Sequence, residues 1–251
     1  MTQFTPRHLS VSSVQLYMTC PAQYRARYID RLVQPSNPPM MFGKAFHAAL
    51  EAEHRGENSE RALVAAWNAG EADLAASGQQ LRPDKAHALA LLDAYKERGL
   101  GGQLGEPERR FMLRLLAPGV PVPVLGYIDL TLPERRRFRE FKTTSTTSWT
   151  DIKIQTQAQL HVYGRAFQEI YHHRVDVAEY VVFRTDIVQV DVFEAVPSAD
   201  GFRAFELEAE ATWAGVKAGN FTGCGTCKEI CCPPTPRSQT GPSFTWEEHA
   251  S

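Results

Sequence analysis

The stretch VPVLGYIDLTLPERRRFREFKTT, residues 122–144, decides how the rest of the chain is read. Residues 122–132 are apolar and β-branched, as a buried strand requires. Pro133 and the polar run 134–137 break that pattern and predict a turn. A second strand then follows over 138–144. Its two-residue period places Phe138, Glu140 and Lys142 on one face and Arg139, Phe141 and Thr143 on the other.

The pattern brings chemistry with it. Glu140 and Lys142 share a face of one strand, and Asp129 on the neighbouring strand can reach the same place. Two carboxylates held close repel unless a cation lies between them, which makes such a pair a natural site for a hard metal ion. A lysine two residues on can orient water or offset charge on a phosphate. The same residues also fit an exposed hairpin edge dotted with charge.

The chain has 251 residues, a formal net charge of −2 and an ordinary globular balance of 43% apolar and 22% charged residues. That length suits one large domain or two small ones. No apolar run approaches a membrane span, and residues 1–10 carry no apolar segment of the secretory kind, so a cytoplasmic protein is expected. Nucleic-acid binding would have to rest on a local basic patch rather than on bulk charge. Four of the five cysteines crowd into Cys224, Cys227, Cys231 and Cys232, far from Cys20. An odd count without an export signal favours metal ligation over a disulfide framework.

In chain order, residues 10–31 read as helix, capped by Ser12 or Ser13 and restarted at Pro21, so that Cys20 lies at a helix junction. The proline-rich 34–40 reads as a loop. Helices are expected over 42–54, with Gly43, Phe46, His47, Leu50 and Glu51 on one face, and over 60–76 and 83–98. A glycine-rich hinge, 99–105, leads to a strand over 108–116. A long helix over 151–171 would place Gln155, Gln159 and Tyr163 in one uncharged polar stripe suited to a cleft. A hairpin over 178–184 and 188–193 completes a sheet of about five strands, and a last helix covers 197–217. The Pro/Ser/Thr/Gly-rich tail 233–251 is expected to be disordered.

Six motifs thus follow one another: Cys20-Pro, Gly-x-x-x-His at 43–47, Gly-x-x-Asp at 126–129, Glu-x-Lys at 140–142, Gln-x-x-x-Tyr at 159–163, and the cysteine cluster. In this order the sequence resembles the RecB-like branch of the PD-(D/E)XK nuclease superfamily, and within it the iron–sulfur members that include the AddB nuclease domain and the CRISPR-associated exonucleases. The resemblance implies an α/β, restriction-endonuclease-like core with a mixed sheet flanked by helices and an N-terminal helical region. It implies one nuclease domain over 1–232, with a helical insertion at about 56–100 and the 224–232 cysteines closing onto Cys20.

By the same resemblance, His47, Asp129 and Glu140, with the carbonyl after Glu140, hold Mg²⁺ or Mn²⁺. Lys142 assists the attacking water, and Gln159 and Tyr163 contact DNA or support the site. Glu108 is an auxiliary acid. Cys20, Cys224, Cys227 and Cys232 would carry a [4Fe–4S] cluster. The gaps here are shorter than the family's, Cys231 competes with Cys232, and four thiolates also suit structural Zn²⁺. The expected activity is a deoxyribonuclease, an exonuclease on single-stranded ends in recombination, repair or phage DNA metabolism. The alternatives are a CRISPR spacer-acquisition exonuclease working with an integrase, and a non-catalytic DNA-binding assembly subunit. The sequence has no Gly-rich phosphate loop ending in Gly-Lys-Ser/Thr, so unwinding would need a partner helicase. Arg25, Arg27 and Arg31, Arg109, Arg110 and Arg114, and the 135–137 arginines are candidate phosphate contacts. Tyr17, Trp149 and Tyr163 are candidate base-stacking rings.

Overall fold

The computed structural model describes residues 6–32, 36–75, 78–102, 104–146 and 149–225. Its centre is a five-stranded mixed sheet in sequential order: β1 (Glu106–Leu113), β2 (Val124–Leu132), β3 (Arg137–Thr144), β4 (Val177–Arg184) and β5 (Gln189–Ala195). β3 and β4 are parallel, and every other neighbouring pair is antiparallel. A parallel pair needs a crossover, and α6 (Asp151–Gln155) and α7 (Ala158–Tyr171) supply it. The fold is the α/β arrangement expected, with helices on both faces and at the N-terminus.

Each face of the sheet carries its own core. On one side Phe111, Val124, Ile128, Phe138 and Tyr180 pack with Val14 of α1 (Val11–Thr19), with Leu160 and Phe167 of α7, and with Phe205 and Trp213 of α8 (Ala199–Ala218). On the other side Leu130, Phe141, Val181 and Phe183 pack with Phe42 and Phe46 of α3 (Pro38–His54), Trp67 of α4 (Ser59–Ala75) and Tyr95 of α5 (Lys85–Glu97). No helix among the described residues is long and apolar enough to cross a membrane.

Several local expectations need correction. The cap of α1 is Ser10, which exchanges hydrogen bonds with Ser13 in a capping box, rather than Ser12 or Ser13. After Pro21 the helix is short, α2 (Pro21–Tyr24), and continues as a π turn, Arg25–Ile29. α3 begins at Pro38, inside the expected loop: Asn37 accepts from the Met40 N–H, and prolines in the first turn forfeit only donors that lack helical partners. The expected 151–171 helix breaks at Thr156 and Gln157. There the Gln155 side chain donates to the Val196 carbonyl at 2.8 Å, which removes it from the Gln159–Tyr163 stripe.

The β2–β3 ladder is the departure that matters most. It holds only from Leu130↔Arg139 to Leu132↔Arg137, after which the strands splay. On the splayed length of β2, Leu9 takes the neighbouring place instead, accepting from the Leu125 N–H at 2.8 Å.

At the far end of α3, buried His54 links three elements. Gly102 O, an acceptor only, lies 2.8 Å from Nδ1, so neutral His54 donates there and accepts from the Tyr95 hydroxyl at Nε2, 2.7 Å away. Burial pushes this imidazole down to about 4, against the pull of the Gly102 carbonyl. The fold therefore favours the neutral ring. Its contribution is whole above pH about 6.5 and drains away as pH falls toward about 4, a loss of at most roughly 3 kcal/mol. Urea midpoints at neutral pH and near pH 4.5 should differ more for the wild type than for His54→Gln; equal differences would refute this role.

Candidate active site

The splay between β2 and β3 forms the site. Once the ladder stops, the Phe141 N–H has no partner on β2, and the Asp129 carboxylate accepts it at 2.7 Å. From α3, which rests against β1 and β3, His47 brings Nδ1 to 3.6 Å from Asp129 Oδ1. Glu108 of β1 completes a trio: one ligand atom each from His47, Glu108 and Asp129 lies within 4.8 Å of the others. Glu108 has φ of 50°, a strained conformation for a non-glycine residue that costs on the order of 1–3 kcal/mol. It stands at the position opposite Asp129, where the two strands leave their regular pairing.

Glu140 and Lys142 project toward α7. Lys142 Nζ donates to Glu140 Oε1 at 2.6 Å and to Gln159 Oε1 at 2.9 Å. The Gln159 amide donates back to Glu140 Oε1 at 3.0 Å and to the Tyr163 hydroxyl at 3.1 Å. The Tyr163 ring packs edge-on against Phe111 and Phe138. Gly126 is required by this packing, because a Cβ there would run into the Phe111 ring. The glycine three residues before Asp129 thus acts through Phe111 and Tyr163 on the amide that holds Lys142.

The electrostatics are those of crowded carboxylates. Burial, then the nearby Glu140 charge, raises the Asp129 carboxyl well above its ordinary range. Burial, Glu51 and Glu140 raise Glu108 as well. Burial would lower the Lys142 ammonium, but Glu140 and Asp129 outweigh it and the group stays charged. Burial holds the His47 imidazole below its ordinary range, against the pull of Glu140. Glu140 Oε2 is buried and has no hydrogen-bond partner among the described residues. An ionised oxygen in that condition is costly unless a cation or donor faces it. Carboxylates, one imidazole and this orphaned oxygen form a donor set that fits a hard divalent ion.

The residues singled out in sequence meet here, with two changes. Glu108, expected only as an auxiliary acid, stands within the closest trio of ligand atoms, whereas Glu140 lies beside that trio in the Lys142–Gln159 network. Tyr163 is buried and supports Gln159, so it offers no ring to a base. Tyr17 is buried too: its hydroxyl donates to the Asn220 carbonyl at 2.7 Å, and its ring meets Tyr24 and Phe221 edge-on. Trp149 lies beside Tyr180.

The Tyr17–Asn220 bond carries the C-terminal segment to the N-terminal helices. Cys20 is buried at the α1–α2 junction and Cys224 is half-buried beyond α8. Cys227, Cys231, Cys232 and the tail 233–251 lie outside the described residues.

Comparison with one solved structure agrees with this architecture. Among solved structures, a protein described as a "Putative exonuclease" from Eubacterium rectale superposes with a TM-score of 0.59 at 12% identity, covering 95% of this chain and 90% of its own. The structure of SSO0001 gives a TM-score of 0.37 at 16% identity, over 76% of this chain and 83% of its own. No curated protein sequence matches significantly. The family model of the PD-(D/E)XK nuclease superfamily matches residues 8–233 of the 251, and the chain belongs to that superfamily.

Proposed function

We propose that the protein is a metal-dependent deoxyribonuclease that degrades DNA from single-stranded ends. The observation that carries this is the buried, unpartnered Glu140 oxygen beside the His47–Glu108–Asp129 trio, with the Lys142 ammonium fixed alongside. His47, Asp129, Glu140 and the Phe141 carbonyl would hold Mg²⁺ or Mn²⁺, with Glu108 as a further ligand. An ion so held supplies Lewis acidity to a scissile phosphate and lowers the pKa of water.

The protein groups do the rest. Lys142 orients the attacking water and offsets charge that grows on the phosphate. Gln159 keeps Lys142 from swinging away, because its amide binds both Lys142 and Glu140. The Asp129 bond to the Phe141 N–H fixes the peptide that follows Glu140.

The proposed domain runs over 1–232, and Cys20, Cys224, Cys227 and Cys232 would hold a [4Fe–4S] cluster of structural purpose. What supports this is the approach of residues 220–221 to the helices that flank Cys20: besides the Tyr17–Asn220 bond, the Arg25 guanidinium lies 5.9 Å from the Phe221 ring. A helicase or an integrase is the kind of partner that would supply the ends.

The test is cleavage of end-labelled single- and double-stranded DNA with Mg²⁺, Mn²⁺ or EDTA by anaerobically purified protein, beside Glu140→Ala and Lys142→Ala. Metal-dependent degradation from an end is expected, with Lys142→Ala slower by on the order of 10²–10³. The protein should be brown and contain iron, and Cys20→Ser should lose both; a colourless, zinc-bearing preparation would replace the cluster. Absence of cleavage by protein with its cluster intact would make the chain an assembly subunit.

A further inference from the structure

A ledge on the sheet leads away from the site, and nothing in the mechanism uses it. β1 is an edge strand, and its pairing with β2 sets Arg110 opposite Tyr127 and Met112 opposite Leu125. Directly paired residues point to the same side of a sheet. Their chain neighbours Phe111, Leu113, Val124 and Ile128 are buried in the core shared with α7 and α8, so these four face the other way, the side on which His47 arrives from α3. The helices on that side pack over Leu130, Phe141, Val181 and Phe183, and among the described residues this corner stays open. Tyr127 is 46% exposed and Met112 54%. Arg110 is exposed and, among the described residues, makes no ion pair; its guanidinium donates to Met112 Sδ at 3.2 Å.

The register places this ledge one step from the chemistry. The ladder skips the next position, where Glu108 stands opposite Asp129, but ligand atoms of both lie within 4.8 Å of His47, which comes from the α3 side. Two residues of β-strand cover about 7 Å, the scale of one nucleotide. An aromatic face, a thioether and an unpaired guanidinium in a row are what a flexible polyanion with stacking rings requires.

We propose that this ledge binds the unpaired DNA strand flanking the scissile phosphate, Tyr127 stacking on the adjacent base and Arg110 holding its phosphate. The inference rests on the nuclease reading above and adds to it the surface that selects single strands. It gives Tyr127 a positioning role, since it touches none of the reacting atoms.

The experiment is fluorescence anisotropy of labelled single-stranded oligonucleotides in EDTA, where no cleavage occurs, on the full chain. Tyr127→Ala should weaken binding about 10-fold or more, whereas Tyr127→Phe should restore it. Arg110→Ala should lower the slope of log affinity against log salt by about 0.7, one phosphate contact on a single strand. An oligonucleotide with an abasic residue at the stacked position should bind wild type and Tyr127→Ala equally. Both residues are exposed, and unchanged melting temperatures would confirm intact folding. Wild-type protein that neither binds nor cleaves DNA would overturn the nuclease reading and the ledge together. Wild-type protein that binds and cleaves, with both variants indistinguishable from it, would overturn the ledge alone and leave that face to a protein partner.

Discussion

Asp129→Asn should abolish cleavage and, in EDTA, melt at a higher temperature than the wild type. Burial and the Glu140 charge raise the Asp129 carboxyl in the fold. A carboxylate with a raised folded pKa is held more comfortably when protonated, so at neutral pH its charge subtracts from stability. Asparagine removes the charge, keeps the shape and can still accept the Phe141 N–H through Oδ1. The variant should therefore gain a few degrees, at roughly 2–4 °C per kcal/mol for a chain of this size. The same change removes a ligand, so the DNA-cleavage rate should fall by at least about 10²–10³. Mn²⁺ should raise the melting temperature of the wild type and leave the variant nearly unmoved, because only a ligand bound to the native state stabilises it. A variant that melts lower in EDTA, or that still cleaves, would remove Asp129 from the centre of the site. The opposed signs matter: a residue kept for packing would lose stability along with activity, whereas a site built to take a cation trades one for the other.

Local rules made β2 and β3 legible, since alternation in 138–144 and the Pro133 break carry their own signal. Glu140 and Lys142 were legible for the same reason, two residues apart on one strand. The splay that turns Asp129 into a partner of the Phe141 N–H was not, because where a ladder ends depends on tertiary contacts, and here the far end of β2 is bordered by Leu9, over a hundred residues distant. The break in the 151–171 helix carries no glycine or proline. At the break the Gln155 carbonyl accepts from His161 Nε2 at 3.0 Å and the Gln155 side chain donates to the Val196 carbonyl, a contact between distant segments. Pro38 and Pro39 misled in the other direction: a proline pair reads as loop until a cap such as Asn37 makes it a helix start. Tyr127 escaped notice because an aromatic within an apolar strand reads as core, and only the bare corner left by α3–α5 shows that it is not.

The stability of β3 rests on a charge as deeply placed as those of the site, and Glu179→Ala should be the most damaging single change away from it. Arg139 and Glu179 are cross-strand partners of the parallel β3–β4 pair, and only 4% and 7% of their surfaces are exposed. Arg139 Nε donates to Glu179 Oε2, and its Nη1 donates to the Leu100 carbonyl at 2.8 Å. Glu179 Oε1 accepts from Arg137 at 2.7 Å. Burial alone would raise the Glu179 carboxyl, but the hydrogen bonds from Arg139 and then Arg137 outweigh it and hold it below its usual range. Removing the carboxylate leaves a buried guanidinium with the Leu100 carbonyl and the Tyr95 hydroxyl as its neutral partners, at a cost of about 3–5 kcal/mol, or a melting temperature lower by on the order of 10 °C. Arg137 suffers less, because it retains Glu194 at 3.1 Å. The double variant Arg139→Leu/Glu179→Leu should recover most of that loss, since a buried ion pair barely repays its own desolvation. Urea unfolding of the two single variants and the double gives the coupling directly. Additive losses would mean the pair is no unit. The pair also bears on the chemistry, because Arg139 precedes Glu140: a one-residue slip of β3 on β4 would turn Glu140 and Lys142 to the opposite face. If the pair serves to hold that register, the double variant should be stable yet cleave DNA more slowly than the wild type, and full activity would reduce its role to stability alone.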